Sequence, residues 1–194
     1  MDHADLATAK AAMRAEALAA RDALSPTTAI ENALALVDHA SAVGDVIEAV
    51  VAAYWPIRSE IDPRPLLFAL REAGARTCLP VIVNGEIVFR ELTRETELEP
   101  AGFGTFGPGS EAATVDPDVI LLPLAAFDAS GARLGYGKGH YDRAIAACRA
   151  RGLTPRLVGL AHAAQERVRV PTGPYDIRLH AVLCEDGLHA MSAS

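Results

Sequence analysis

Cysteine is scarce and badly placed for bonding. The 194-residue chain has three, Cys78, Cys148 and Cys184, far apart and in apolar segments. An odd, scattered set excludes a disulfide framework and offers no thiol pair at zinc-site spacing, so the three read as reduced core residues of a cytoplasmic protein. No apolar run approaches the ~18 residues of a membrane span. The opening Met1-Asp2-His3-Ala4-Asp5 lacks the basic-then-apolar order of a signal peptide. A basic surplus is missing too: the formal net charge of -7 argues against nucleic acid as a partner held on a broad positive surface. It leaves a small anionic ligand open, because local charge decides that. Internal repeats, low-complexity blocks and linkers are also absent. What remains is 51% hydrophobic residues, enough for a full core, in a length that suits one α/β domain over 1–194 better than two.

Residues 5–24 are alanine-rich without Gly or Pro and read as a helix, with Leu6, Met13, Ala17, Ala20 and Leu24 on one stripe. Lys10, Arg14 and Arg21 line one edge of it. They either flank a core face and snorkel to water or border a cleft and meet an anion. Ser25-Pro26 is a helix-start signal, and the second helix is expected to run to about Ala42. Residues 46–54 read as a buried strand ending in Trp55-Pro56-Ile57-Arg58-Ser59-Glu60, and 63–73 as a helix closed by Gly74. Asn84-Gly85 is a hairpin signal between strands at 76–83 and 86–92. Residues 93–116 show little regular pattern, which inside a compact domain points to a functional or mobile loop. Further strands are expected at 118–126, 156–161 and, last, 180–184. This strand–helix alternation predicts a three-layer α/β/α fold, with a mostly parallel central sheet and one antiparallel hairpin.

The chemistry gathers where the apolar strand after Asp118 gives way to Arg133-Leu134-Gly135-Tyr136-Gly137-Lys138-Gly139-His140-Tyr141-Asp142-Arg143. A strand, a glycine loop and a helix start make a phosphate site, since glycines let backbone N–H groups approach an anion and the helix N-terminus adds partial positive charge. The Walker ending is missing, and so is Rossmann spacing after a first strand, which counts against a dehydrogenase. Arg133 and Lys138 bring positive charge, yet Asp142 brings a carboxylate. A carboxylate beside phosphates is repelled unless a metal lies between; Mg²⁺ takes one or two carboxylates and fills its other positions with phosphate oxygens and water. Asp176 is the second candidate ligand. Asp142 as a helix cap and Asp176 as a turn residue remain the plain alternatives, and Asp128 is assigned to the turn with Ser130 and Gly131. His140 is either a general base or a packing residue, with no nucleophile to pair with. His162 and His180 read as structural. Glu60 is either an acceptor for amine-like ligand groups or a surface turn acid.

Residues 133–143, preceded by Pro123 and Phe127-Asp128, resemble the signature of the 5-formyltetrahydrofolate cyclo-ligase family, also called 5,10-methenyltetrahydrofolate synthetases. The likeness extends over nearly the whole chain: Lys10-x-x-x-Arg14, Tyr54-x-Pro56-x-x-x-Glu60, Leu79-Pro80 with Phe89, and the loop 171–176. Lys138 and His140 depart from the glycine and aromatic found in many members, and Gly107 stands where the family often has an acid. The resemblance implies ATP- and Mg²⁺-dependent cyclisation of 5-formyltetrahydrofolate to 5,10-methenyltetrahydrofolate with release of ADP and phosphate, by a monomer or weak dimer. It implies ATP binding by Lys10, Arg14 and 133–141 (Arg133, Leu134, Gly135, Tyr136, Gly137, Lys138, Gly139, His140 and Tyr141). Lys10, Arg14, Arg133, Lys138 and Tyr141 are implied in catalysis, Asp142 and Asp176 in metal binding. Trp55, Glu60, Phe89, Tyr136, His140 and Tyr141 are implied on the folate side. A non-catalytic nucleotide- or folate-binding module, or a ligase with another acceptor, are the alternatives on such a fold.

Overall fold

Proline at the start of each of two helices, β-branched runs and one Asn-Gly turn set the local structure, which a computed structural model shows for residues 3–102 and 104–191. The opening Met1-Asp2 and Phe103 of the long loop lie outside the described residues. In chain order the elements are α1 (His3–Asp22), α2 (Pro26–Asp38), β1 (Val50–Ala52), α3 (Arg64–Glu72), β2 (Arg76–Val83), β3 (Glu86–Glu91), β4 (Leu98–Gly102), β5 (Thr105–Pro108), β6 (Val119–Pro123), β7 (Ala126–Phe127), β8 (Arg133–Leu134), α4 (His140–Ala150), β9 (Arg156–Leu160), β10 (Ala181–Cys184) and β11 (Gly187–Ala190). Ser25 caps α2, its side chain accepting from the Thr28 N–H at 3.0 Å. Asn84 and Gly85 take φ of 52° and 85°, the two left-handed residues that a tight hairpin turn requires.

Seven strands form the central sheet in the order β11-β10-β9-β6-β1-β2-β3. The five strands β10, β9, β6, β1 and β2 run parallel. The expected antiparallel hairpin, β2–β3, closes one edge, and β10–β11 closes the other, so 180–184 is not the last strand. Residues 93–116 also carry more order than their composition suggests, folding in part into the β4–β5 hairpin. The first strand is shorter than expected. A turn at 46–49, with Glu48 at φ 60° and the Ala49 N–H bonded to the Val46 carbonyl, delays it until β2 and β6 flank it.

Alternation along β6 shows how the layers are built. Val119 and Leu121 face the core under α2 and α3, with Leu36, Leu66 and Leu70. Ile120 and Leu122 face the core under α4, with Ile145 and Leu157. Strands buried on both faces read as continuous apolar runs, as 119–122 does. Helix α1 belongs to neither layer. It lies across β7 and β8, with Ala17 and Met13 packed on Ala126, Ala132, Leu134 and Val170.

The order of the strands fixes where a ligand can enter. From β1 the chain crosses through α3 to β2 on one side, and β6 then lies on the other side of β1. Crevices in open α/β sheets open at such a reversal, beyond the carboxyl ends of the strands. Here those ends lead into Trp55-to-Glu60 from β1 and into the glycine loop beyond β6. Among the described residues, no helix is long and apolar enough to cross a membrane.

Gly159 in β9 tests the packing between the layers. A Cβ there would stand 2.6 Å from Leu124 Cδ2 and 2.8 Å from Leu179 Cδ1. Gly159→Ala is therefore expected to destabilise the fold by about 1–3 kcal/mol, read as a lower thermal midpoint with an unchanged circular-dichroism spectrum below it.

Candidate active site

Arg133 is the buried charge of the site. It sits in the two-residue strand β8, its side chain only 6% exposed, and its guanidinium bonds Asp142 Oδ1 at 2.8 Å and the Ile177 carbonyl. Burial pulls its pKa below the usual arginine value, while Asp142 and Asp176 hold the charge in place. Asp142 Oδ1 also accepts the Ile177 N–H at 3.3 Å. It is not the helix cap. Gly139, at φ 65°, takes that position, the helix begins at His140, and Asp142 stands in its first turn.

The cations on α1 reach the same place from the opposite side. Lys10 pairs with Asp176 Oδ2, which also accepts the Gly173 N–H at 2.6 Å. Arg14 Nε donates to the Gly135 carbonyl at 2.7 Å, and its guanidinium lies 3.4 Å from where a Gly137 Cβ would be. With φ at 91°, Gly137 both takes a left-handed turn and leaves room for Arg14. Lys10 and Arg14 are therefore half-buried against the 173–176 turn and the glycine loop. Arg21, grouped with them in the sequence, instead points inward and is 1% exposed.

The loop's remaining positions differ in kind. Leu134 is buried against α1, so only its backbone faces the loop. Lys138 is exposed, and its carbonyl accepts from Arg143 Nη1 at 2.9 Å. His140 Nδ1 lies 2.9 Å from Arg143 Nη2, a contact made within the first helical turn. Asp128 is a turn residue as expected: burial alone would raise its pKa, but bonds from the Ser130 side chain and the Val170, Ser130 and Ala132 N–H groups lower it. His180 Nδ1 accepts the Leu157 N–H at 2.8 Å, and His162 pairs with Asn32 at 3.0 Å; burial lowers both.

Across the crevice, beyond β1, lies Glu60. Its Oε2 accepts the Ile57 N–H at 2.9 Å, and burial pushes the carboxyl up to about 7, against opposing pulls from that bond, Arg21, Tyr136 and Arg58. Tyr141 and Tyr54 face it, each phenol raised well above the usual value, first by burial and next by the charge of Glu60. Tyr54 spends its hydroxyl on the Ile61 carbonyl at 2.9 Å. Tyr136 of the glycine loop has two guanidinium groups near its ring, Arg21 at 6.0 Å and Arg58 at 5.8 Å from the ring centre. Trp55 is half-buried, with Phe106 of β5 at 5.5 Å and Arg64 at 5.1 Å. Phe89, in contrast, is 5% exposed in the core under α4, away from any open surface.

Sequence reasoning did not single out Phe106, gave Tyr54 no role beyond its place in the motif, and grouped Arg21 with Lys10 and Arg14. Phe106 lies in the stretch that showed no pattern, so nothing local marked it. Arg21 had one signal, its place in line with Lys10 and Arg14 one helical face apart.

Two places bring metal-ligand types together. Asp142 and Asp176 both act on Arg133, and a pair of carboxylates completed by phosphate oxygens and water suits Mg²⁺. Among the described residues, Cys184, Asp186 and His189 have ligand atoms within 4.8 Å of one another at the β10–β11 edge. There His189 and Asp186 satisfy each other at 2.9 Å, and burial raises the Cys184 thiol out of the thiolate range, so that trio reads as structural.

Comparison with known proteins bears on the whole chain. Residues 7–185 match the model of the 5-formyltetrahydrofolate cyclo-ligase family. The 5-formyltetrahydrofolate cyclo-ligase of Escherichia coli K12 is 34% identical over 145 residues, covering 71% of this chain and 79% of that protein. That of Mycolicibacterium smegmatis is 34% identical over 142 residues, covering 69% and 72%. The solved 5,10-methenyltetrahydrofolate synthetase of Aquifex aeolicus superposes with a TM-score of 0.76 at 28% identity, over 95% of this chain and 94% of that one. The Mycoplasma pneumoniae synthetase gives 0.67 at 25% identity, over 91% and 98%.

Glu60 yields a test of the geometry. Its folded pKa, about 7, lies above the ordinary carboxylate value of 4.5, so between these values the folded state binds more protons than the unfolded state. Stability supplied by this group is complete below the unfolded value and is lost as pH rises through 7. The melting temperature of Glu60→Gln minus that of the unaltered protein is expected to increase by a few degrees from pH 5 to pH 8, measured by thermal denaturation in matched buffers.

Proposed function

The chain belongs to the 5-formyltetrahydrofolate cyclo-ligase family, and on that premise we propose that it converts 5-formyltetrahydrofolate and ATP to 5,10-methenyltetrahydrofolate, ADP and phosphate. The observation that carries the reading is the convergence of Lys10, Arg14, Arg133, Asp142 and Asp176 on one glycine loop, opposite a half-buried acid, Glu60. A formyl amide is a poor electrophile, and its nearby amine cannot expel oxide. Attack of the formyl oxygen on the γ-phosphorus forms an O–P bond and breaks the bond to the bridging oxygen of ADP. The second folate nitrogen then adds to the activated carbon, loses its proton and expels inorganic phosphate, which closes the ring.

That sequence asks the protein for positioning and charge more than for a nucleophile. Lys10 and Arg133 now spend their charge on Asp176 and Asp142, and a triphosphate gives both cations a better-matched partner. Arg14 fixes the Gly135 carbonyl, leaving the turns at Gly137 and Gly139 to present backbone N–H groups at the start of α4. Asp142 and Asp176 would hold Mg²⁺, which supplies further neutralisation of the phosphates when bound. Glu60, in its ionised form, accepts the pterin N–H donors; Trp55, Tyr136 and Tyr141 border the ring, and His140 and Lys138 stand at the rim. Phe89 contributes by supporting the sheet beneath.

Purified protein with 5-formyltetrahydrofolate, ATP and Mg²⁺ is expected to develop the methenyl absorbance; its absence at every ATP level overturns the reading. Removing the Asp142 side chain would strand Arg133 in the interior, and breaking a buried pair costs about 3–5 kcal/mol. Asp142→Asn keeps the oxygen that Arg133 bonds while removing the charge, so it is the cleaner variant; its kcat is expected to fall by roughly two orders of magnitude, with circular dichroism checking the fold. Lys138→Gly is expected to raise the apparent KM for ATP modestly in the same assay, since an exposed lysine adds charge at the rim.

A further inference from the structure

Among the described residues, Arg21 is the one charged side chain in the most deeply buried set, at 1% exposure, and the proposed chemistry leaves it without a role. Burying a guanidinium is unfavourable unless its donors are met and its charge is balanced. Its donors go to three separate segments. Nε bonds Ser59 Oγ at 3.0 Å, Nη1 reaches the Leu124 carbonyl at 3.5 Å, and Nη2 bonds the Tyr136 hydroxyl at 2.9 Å. The Ser59 hydroxyl in turn donates a hydrogen bond to Asp22, the neighbour of Arg21 on α1.

These segments are the two halves of the site. Ser59 precedes Glu60 on the folate side, Leu124 ends the strand that leads into the loop, and Tyr136 is in the glycine loop itself. Among the described residues, no carboxylate bonds Arg21 directly. Its charge and the Tyr136 side chain both act on Glu60, each drawing that carboxyl's pKa down against burial. The groups facing Glu60 are Arg21 from α1, Arg58 from its own turn, Tyr136 from the loop, Tyr54 from the end of β1 and Tyr141 from α4. Of the two cations Arg21 is hydrogen-bonded to both sides from a buried position, whereas Arg58 reaches the Tyr136 ring from an exposed one.

We propose that Arg21 is a positioning residue that couples the nucleotide loop to the folate-side acid, so that occupancy of one half tightens binding to the other; this rests on the proposed function. A nucleotide that draws 135–139 into one conformation fixes Tyr136, and through Arg21 the Ser59 turn that carries Glu60. The reverse holds by thermodynamic linkage, so the factor is the same whichever ligand binds first. Lysine keeps the charge at 21 but lacks the planar fork that meets three acceptors at once. Tyr136→Phe keeps the ring and removes only the hydroxyl.

The test measures the Kd of 5-formyltetrahydrofolate by calorimetry, with and without a non-hydrolysable ATP analogue and Mg²⁺. In the unaltered protein the analogue is expected to tighten folate binding by at least about fivefold. In Arg21→Lys and in Tyr136→Phe the ratio is expected to fall towards one, with no further fall in the double variant. Circular dichroism and melting follow the fold, and Tyr136→Phe carries the test if Arg21→Lys does not fold. A ratio of one in the unaltered protein, or an undiminished ratio in Tyr136→Phe, overturns the coupling. Methenyl formation by the same samples separates the two claims: turnover with a ratio of one sinks only the coupling, and failure to bind either ligand sinks both.

Discussion

The pairing of Arg133 with Asp142 is the constraint on which the site is built. A guanidinium in a two-residue strand, almost without solvent, must be given a carboxylate and carbonyl acceptors. Asp142 supplies the first and so fixes the first turn of α4; Ile177 supplies its carbonyl and its N–H, and so draws in the chain that carries Asp176. The loop between β8 and α4 then has both ends anchored. Only its glycines need special backbone angles, and Gly139 meets that need in place of a side-chain cap. A buried pair of this kind contributes little net stability over an apolar pair of the same volume. Its value lies in placing two acids and two bases within one small region.

Helix α1 completes the arrangement from outside the sheet. Its apolar stripe packs on β7 and β8, and this places Lys10 and Arg14 over the loop and Arg21 beneath it. The helix needs no place in either helical layer for this. Since α1 touches both the loop and the Ser59-Glu60 turn, the two sides of the crevice meet through its side chains as well as through the sheet.

Much of this was legible in the residues, and the exceptions share a cause. The β2–β3 turn follows from Asn84-Gly85 because those two residues tolerate left-handed angles, and α2 follows from Ser25-Pro26. The carboxylate at 142 was informative in the sequence because a phosphate loop should repel it. Residues 93–116 gave no such sign: β4 and β5 are held by each other and by Trp55, and no period within the segment encodes that. Residue 89 marks the opposite failure, an aromatic that matches the family pattern yet is enclosed by the sheet and α4.

The sequence by itself determined the class of fold, the order of most elements and the loop where the chemistry gathers, since local periodicity and backbone preference carry that information. Tertiary structure decided the rest. It placed the crevice at the reversal between β1 and β6, added the β10–β11 edge, and raised Glu60 to about 7 by burial. It also separated Arg21 from Lys10 and Arg14, three residues alike in their spacing. Burial and the charge of distant neighbours set these properties, and neither is written in any short stretch of chain.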